Sequence, residues 1–153
     1  ADVVLGSRLL GGSPMAQGMP WWKYISNRFL TGIENLTFGL KLAEYHTGYR
    51  ACRRGVLEVV NLDMNSDAFI FDQEIMAQIV EVKMRVTEVA VPTRYFAQAS
   101  SASFFQSSIY GLSILWLLAR YCLHKTGLVR QRQFQSLHLR YCGPAAAAGK
   151  PNP

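Results

Sequence analysis

The sequence predicts an α/β protein, because stretches with the pattern of strands alternate with stretches that have the apolar repeat of helices. Residues 3–5 form a short apolar run that ends in a Gly-Ser turn. The stretch "RVTEVAVPTRY" alternates like a strand, and its Pro92 indicates a sheet edge or a strand end. The 153 residues, 50% of them hydrophobic, suffice for one domain with a core but are few for two.

Two helices are expected before residue 90. Residues 21–42 have the apolar spacing of an amphipathic helix with a break near Gly39. Residues 71–83, "FDQEIMAQIVEVK", predict a second helix, and a short helix and a polar turn are expected between the two. The apolar positions are Trp22, Ile25, Phe29, Ile33, Leu36 and Leu40 in the first helix and Phe71, Ile75, Ile79 and Val82 in the second.

An uncharged segment, residues 97–119, precedes the basic end of the chain. Its apolar part, residues 109–119, is too short to span a bilayer, which takes about 20 apolar residues. It fits a helix lying in a membrane surface, with Tyr110 and Trp116 at the interface. A helix packed on its own domain is an equally good interpretation. Residues 143–153 have the composition of a disordered tail.

The charge of the chain is unevenly distributed. Lys and Arg number 16 against 10 Asp and Glu, for a formal net charge of +6, and no acid follows Glu88. This polarity suggests an anionic partner, either lipid headgroups or nucleic acid. Nucleic acid is disfavoured, because the basic residues after Arg120 alternate with Leu, Tyr and Cys instead of forming a dense stripe. Three widely spaced cysteines fit a reducing, cytosolic setting.

Several basic and hydroxyl side chains are candidates for binding an anion. Ser7 and Arg8 follow the first strand, at the sheet edge where ligands of α/β proteins bind. Lys23 and Ser26 share a helix face by their three-residue spacing. Arg94 lies in a Ser-rich loop ahead of the uncharged segment. Each of these residues also has a plain structural interpretation, as a surface, helix-face or loop residue.

Two further motifs contain a turn with polar residues. "HTGYR" is expected to be a backbone turn that delivers Arg50 toward an anionic site, with His46 in a structural role. In "NSDAFIFDQE", Asp67 and Asp72 are five residues apart across a turn into a helix. Either can cap that helix, which is the favoured interpretation, and Asp72 can also supply an acidic site.

The order of these segments resembles the C-terminal half of a family 2 glycosyltransferase, of the branch similar to dolichyl-phosphate and polyprenyl-phosphate sugar synthases. The resemblance covers roughly residues 2–107 and is carried by "VVLGSR", "MPWWKYISNRFLT", "HTGYRACRRGVLE", "NSDAFIFDQEIMAQ" and "EVAVPTRYFAQASSASF". It implies part of a Rossmann-like GT-A fold. The donor-binding half of such enzymes carries an Asp-X-Asp motif for Mg²⁺ or Mn²⁺. This sequence has no Asp-X-Asp, so the chain is interpreted as an acceptor-side fragment whose metal ligands lie mostly elsewhere.

The resemblance also implies roles for individual residues. Arg8, Lys23 and Ser26 would contact the phosphate of the acceptor. Arg94 would belong to the acceptor loop, and Asp72 to an acidic motif near the transferred sugar, as the catalytic residue. Ser7, Arg50 and Asp67 would support the site, and no metal ligand is assigned in this chain.

The implied activity is transfer of a sugar, with inversion, from a nucleotide-sugar to a polyprenyl or dolichyl phosphate at the cytoplasmic face of a membrane. The expected organisation is an acceptor-side half-domain (residues 1–107), a basic amphipathic helical segment (residues 108–142) and the tail (residues 143–153). The isolated chain is expected to be inactive. The alternative is a non-catalytic basic module that binds membrane surfaces, or a pseudo-transferase.

Overall fold

The computed structural model describes residues 1–12, 14–92 and 104–137. In these residues a three-stranded sheet is combined with helices, which confirms the predicted α/β class. The strands are β1 (Val3–Ser7), β2 (Arg50–Cys52) and β3 (Val86–Ala90), in the order β2-β1-β3. The central strand β1 pairs antiparallel with β2 and parallel with β3. The carboxyl ends of β1 and β3 therefore lie side by side at one edge of the sheet.

The described part of the chain contains four α-helices. The first ends at Phe38 and is capped by Gly39, which has a left-handed φ of 69°. The predicted break near Gly39 is therefore confirmed, and it falls on the residue type that adopts this conformation most easily. The helices are α1 (Trp21–Phe38), α2 (Arg54–Leu57), α3 (Phe71–Glu81) and α4 (Phe104–Lys125), and 3₁₀ turns occur at Leu62–Met64 and Arg132–Phe134.

The apolar stripe of α1 does not face the core. The buried face of this helix consists of Leu30 and Phe38 together with the polar residues Asn27, Thr31 and Glu34. The opposite face is apolar and exposed: Trp21, Ile25, Phe29 and Leu36 have between 56% and 86% of their surface accessible. The sequence identified the amphipathic pattern, but tertiary contacts of the polar residues decide which face is turned inward.

Helix α3 also buries a face different from the one formed by its most apolar positions. Of that predicted face only Ile79 is fully buried, whereas Phe71 is exposed and Ile75 and Val82 are half-buried. The buried positions of α3 are Gln73, Glu74, Met76, Ala77, Gln78 and Ile79. The amides and the carboxylate among them hydrogen-bond to surrounding loops, so this helix connects the core to those loops.

One core cluster joins the sheet to the long helices. Val3 and Leu5 of β1 are completely buried there. Helix α4 contributes Ile114, Leu117, Leu118 and Tyr121 to the same cluster, so residues on both sides of the 107/108 boundary pack together. No helix of the described residues combines the length and the apolar character that crossing a membrane requires. The tail at residues 143–153 lies outside the described residues.

Candidate functional site

A cavity of about 510 Å³ lies at the carboxyl ends of the parallel strands β1 and β3. Arg8 follows β1 directly, and Val91 and Pro92 follow β3. In open α/β sheets this edge is the usual place for a ligand. The wall is completed by the "HTGY" turn, and the lining residues are Arg8, His46, Thr47, Gly48, Tyr49, Val91 and Pro92.

Gly6 allows this turn to lie close to β1. A Cβ atom at Gly6 would be 2.8 Å from Cδ1 of Tyr49 and 3.0 Å from Cγ1 of Val91. Both neighbours belong to the cavity wall. The main-chain nitrogen of Gly6 also donates a hydrogen bond of 2.8 Å to the carbonyl of Tyr49. A side chain at this position would therefore push the wall of the cavity away from the strand.

Arg8 is held at the cavity by the completely buried carboxylate of Glu44. Oε2 of Glu44 accepts a hydrogen bond of 2.8 Å from the main-chain nitrogen of Arg8, and Oε1 accepts one of 2.9 Å from its Nε. Nη2 of Arg8 also contacts Glu44 and donates to the carbonyl of His46 at 2.9 Å. A second donor to Glu44 is the Asn27 amide, at 2.8 Å. Charge-assisted bonds of this kind fix the direction of the guanidinium.

A second buried carboxylate, that of Glu34, lies behind His46. Nε2 of His46 is 3.2 Å from Oε2 of Glu34. The Glu34 side chain is fully buried, and 9% of the His46 side chain is exposed. A buried carboxylate is costly without a polar partner, and the imidazole of His46 lies next to the Glu34 carboxylate. Two side chains of the cavity wall, Arg8 and His46, are thus each backed by a buried acid.

Tyr110 of α4 packs against His46. Its ring lies edge-on to His46, with 5.9 Å between the ring centroids, and its hydroxyl accepts a hydrogen bond of 3.2 Å from Gln73. Burial raises the pKa of Tyr110 to about 12; the Gln73 hydrogen bond opposes this rise, and the nearby Glu34 carboxylate adds to it. This phenol therefore stays neutral at physiological pH.

Arg50 supports the turn instead of lining the cavity. Its guanidinium donates to the main-chain carbonyls of Thr47 at 2.8 Å and Tyr45 at 2.9 Å, and it also donates to the carbonyl of Asp72. The sequence predicted that the turn delivers Arg50 toward an anionic site. In the structure these donors are directed at backbone oxygens, so Arg50 fixes the shape of the turn and its distance from α3.

Ser7 has a similar local role. It is fully buried, and its hydroxyl oxygen accepts hydrogen bonds from the main-chain nitrogens of Leu9 at 3.3 Å and Leu10 at 3.2 Å. These bonds close the turn that follows β1. They orient Arg8, which lies in the middle of the turn, toward the cavity.

Lys23 and Ser26 lie on α1 and do not line the cavity. The amine of Lys23 is 5.2 Å from the ring centre of Trp22, within the range of a cation–π contact. Lys23 is one helical turn before Asn27, which binds Glu44. Lys23 therefore lies on the same side of α1 as Asn27, toward the ion pair between Arg8 and Glu44. Ser26 is exposed on the neighbouring face. The structure thus brings Arg8 to the cavity and leaves Lys23 and Ser26 outside it.

Neither aspartate of "NSDAFIFDQE" caps α3, so the capping interpretation is wrong. The N-cap position is occupied by Ile70. Asp72 lies in the first turn, where a carboxylate favours the helix dipole, and Asp67 is exposed ahead of the helix. Glu74 closes the turn that precedes α3. Its Oε2 accepts a hydrogen bond of 2.7 Å from the main-chain nitrogen of Ser66 and one of 3.0 Å from the Ser66 hydroxyl.

Arg94, which the resemblance assigns to the acceptor loop, lies outside the described residues. Glu34 and Glu44 were missed, although "AEYHTGYR" places an acid two residues before His46. Within residues 1–12, 14–92 and 104–137, no group of three or more His, Cys, Asp or Glu side chains could hold a metal ion.

No protein-family model matches this chain, and no solved structure matches it at a significant level.

Proposed function

We propose that this chain forms the acceptor side of a family 2 glycosyltransferase that transfers a sugar, with inversion, from a nucleotide-sugar to a polyprenyl or dolichyl phosphate. The observation that carries the proposal is the cavity at the carboxyl ends of β1 and β3, with Arg8 in its wall. The ordered resemblance of five segments supports the same assignment. In this proposal the protein works peripherally at the cytoplasmic face of a membrane.

The contacts of Arg8 suit the binding of a phosphate. A guanidinium recognises phosphate through hydrogen bonds of fixed geometry. The Glu44 carboxylate holds the side chain of Arg8 and its main-chain nitrogen together, so little freedom is left to lose when a ligand binds. Thr47 and Gly48 line the same cavity. A phosphate monoester fits the chemistry of this wall.

The proposed reaction needs orientation more than a strong base. The oxygen of a lipid phosphate is already anionic at neutral pH and can attack the sugar directly. Arg8 would orient this oxygen. The resemblance also assigns Lys23 and Ser26 to the acceptor phosphate, and both lie on α1 outside the cavity. Asp72 would act near the transferred sugar, a role that rests on the resemblance. A bound Mg²⁺ or Mn²⁺ would stabilise the departing nucleoside diphosphate, with ligands outside the described residues.

An apolar cavity near the first one fits the lipid part of such an acceptor. Its volume is about 200 Å³, and it lies between the loop before α3 and the first half of α4. Tyr110 belongs to its wall and contacts His46, which belongs to the wall of the first cavity. The lining residues are Ala68, Phe69, Ile70, Gln106, Ile109, Tyr110 and Ser113.

Calorimetric titration with farnesyl phosphate and with farnesol tests the acceptor assignment. These ligands share the isoprenoid chain and differ in the phosphate, so the proposal predicts saturable binding of farnesyl phosphate and at least about tenfold weaker binding of farnesol. Lys23→Gln is expected to weaken binding of the phosphate, and the matched variant Lys41→Gln, at an exposed site after α1, is expected to bind like the wild type. Equal affinity for both ligands would refute the assignment.

A non-catalytic basic module for membrane surfaces, or a pseudo-transferase, is the second candidate. The exposed apolar faces of α1 and α4 favour it, because a transfer reaction does not require them. This candidate predicts binding to vesicles without selectivity for farnesyl phosphate over farnesol. The same titration therefore separates the two functions.

A further inference from the structure

Two buried polar side chains beside the cavity lack hydrogen bonds. Among the described residues, neither carboxylate oxygen of Glu34 and neither ring nitrogen of His46 has a hydrogen-bond partner. The Glu34 side chain is fully buried, 9% of the His46 side chain is exposed, and Nε2 of His46 lies 3.2 Å from Oε2 of Glu34. Buried polar groups without hydrogen bonds are rare in folded proteins, and those that occur often serve a function.

A proton on His46 accounts for the burial of this pair. A lone carboxylate is costly to bury, and an opposite charge beside it offsets part of the cost. A protonated imidazole supplies that charge, and histidine is the side chain that gains or loses a proton near neutral pH. With the proton of the neutral ring on Nε2, toward Glu34, the added proton goes to Nδ1. Because His46 lines the cavity, this step changes the charge of the cavity wall by one unit.

The charges that face His46 from α1 and from the turn after β1 have opposite effects on its ring. Glu34 of α1 favours the protonated ring. Arg8 disfavours it, since its Nη2 donates a hydrogen bond of 2.9 Å to the main-chain carbonyl of His46. Glu44 forms an ion pair with Arg8 and offsets its charge.

The remaining charges come from β2 and α3, because the α4 neighbour is neutral. That neighbour is Tyr110, whose ring packs on His46 and whose pKa burial raises to about 12. Arg50 of β2 donates to the carbonyls on either side of His46, and both Arg50 and Asp72 of α3 act electrostatically on Tyr110. Opposing charges therefore surround the ring, and one further anion in the cavity shifts the balance toward the protonated form.

We propose that the pair of Glu34 and His46 takes up a proton from the solvent when a phosphate anion binds in the cavity, so that His46 becomes a cationic binding residue. The sequence assigned His46 a structural role instead. A phosphate at Arg8 brings negative charge to the wall that His46 shares and favours the imidazolium. By linkage, the imidazolium strengthens phosphate binding by the same factor. The inference rests on the proposed function, because that function assigns a phosphate to this cavity.

Calorimetric titration with farnesyl phosphate between about pH 6 and about pH 8.5 tests the proposal. The phosphate of the ligand itself titrates near pH 6, so the wild type is compared at each pH with His46→Gln, for which the ligand contributes equally. We expect the wild type to bind at least about fivefold more tightly at the lowest pH and about equally at the highest, where the ring has lost its proton. His124→Gln, outside the cavity, is the control and should follow the wild type.

Two further measurements separate proton uptake from a loss of structure. Titrations in two buffers of different ionisation enthalpy give the number of protons taken up on binding, which should be larger for the wild type than for His46→Gln. The double variant Glu34→Gln with His46→Gln leaves no unpaired buried charge. We expect it to fold, as judged by circular dichroism, and to show the same pH dependence as His46→Gln.

The possible results distinguish this proposal from the acceptor assignment. If the ratio of the affinities of wild type and His46→Gln does not change with pH, the proposal is refuted and the acceptor assignment stands. A ratio that rises with pH would also refute it, because the neutral ring would then be the binding form. If the wild type shows no saturable binding of farnesyl phosphate at any of these pH values, the acceptor assignment and the proposal both fail.

Discussion

The amide of Asn27 donates a hydrogen bond of 2.8 Å to the carboxylate of Glu44, and both side chains lie in the interior. This bond links α1 to the loop before β2, and the same carboxylate binds Arg8 at the cavity. The same bond explains why α1 turns its polar face inward, because Asn27 on that face binds Glu44 of the loop. The fold and the candidate site therefore share one buried acid.

Replacing Glu44 is expected to destabilise the protein and to release Arg8. Glu44→Gln removes the buried charge that pairs with Arg8, and we expect the free energy of unfolding to fall by about 2 kcal/mol. The measurement is a urea unfolding curve. Glu58→Gln, which breaks the exposed pair with Arg54, is the control and should cost less than about 0.5 kcal/mol. Equal losses in the two variants would contradict the role of Glu44.

The orientation of α1 can be tested with two neighbouring residues. Leu30→Ala should lower the free energy of unfolding by about 2–4 kcal/mol, because Leu30 lies in the core. Phe29→Ala should change it by less than about 0.5 kcal/mol, because 61% of Phe29 is exposed. Denaturant unfolding of both variants gives the comparison. A larger loss for Phe29→Ala would mean that the helix turns its apolar stripe inward.

The buried amide of Gln78 joins α3 to the segment that follows α4. Its Nε2 lies within hydrogen-bond distance of the carbonyls of Asn61 at 3.0 Å and Gln133 at 2.9 Å. Gln78→Leu leaves these acceptors without their donor, and we expect a loss of about 1–3 kcal/mol. Hydrogen exchange should also become faster in the 3₁₀ turn Arg132–Phe134. The exposed Gln135→Leu is the control, and unchanged exchange in Gln78→Leu would contradict the link.

Asp2 stabilises the sheet in a pH-dependent way. Its carboxylate accepts hydrogen bonds of 3.0 Å from the main-chain nitrogen of Arg85 and from Nη1 of Arg53. The Arg85 hydrogen bond lowers the pKa of Asp2 below its ordinary value of 3.8, with smaller contributions from the Arg53 and Arg85 side chains and an opposing effect of burial. A lowered pKa stabilises the folded state above the ordinary value, and this stabilisation is lost as the pH falls through the lowered pKa.

The Asp2→Asn variant is expected to reveal this contribution. At neutral pH its Tm should lie below that of the wild type. As the pH falls below 3.8, the difference in Tm should shrink, because the wild type then loses the same interaction. Thermal melts followed by circular dichroism at several pH values provide the test. A Tm difference that stays constant down to the lowest pH would show that the charge of Asp2 is not responsible.

The sequence predicted features that depend on local chemistry. The strand at β1, the helix break near Gly39 and the helix start at Phe71 follow from short-range patterns and agree with the structure. Arg8 at a ligand-binding sheet edge was predictable, because the Gly-Ser turn directly follows a buried strand. These are the parts of the fold that neighbouring residues determine.

Features that depend on distant contacts could not be predicted. The inward face of α1 is determined by Glu44, which is 17 residues from Asn27. The pairing of Glu34 with His46 joins a helix to a loop, and its burial cannot be seen in the pattern of either segment. The parallel pairing of β1 with β3 joins residues more than 80 positions apart, such as Val3 and Val86. Such contacts form only when the whole chain has folded.

The central claim is that the cavity beside Arg8 binds the phosphate of a lipid acceptor. The most direct test is a titration of the ¹⁵N-labelled chain with farnesyl phosphate, followed by NMR shifts of the main-chain amides. We predict that the amides of Arg8, Thr47 and Gly48 shift and saturate with farnesyl phosphate and not with farnesol. Shifts confined to α1 and α4, or identical shifts with both ligands, would contradict the claim.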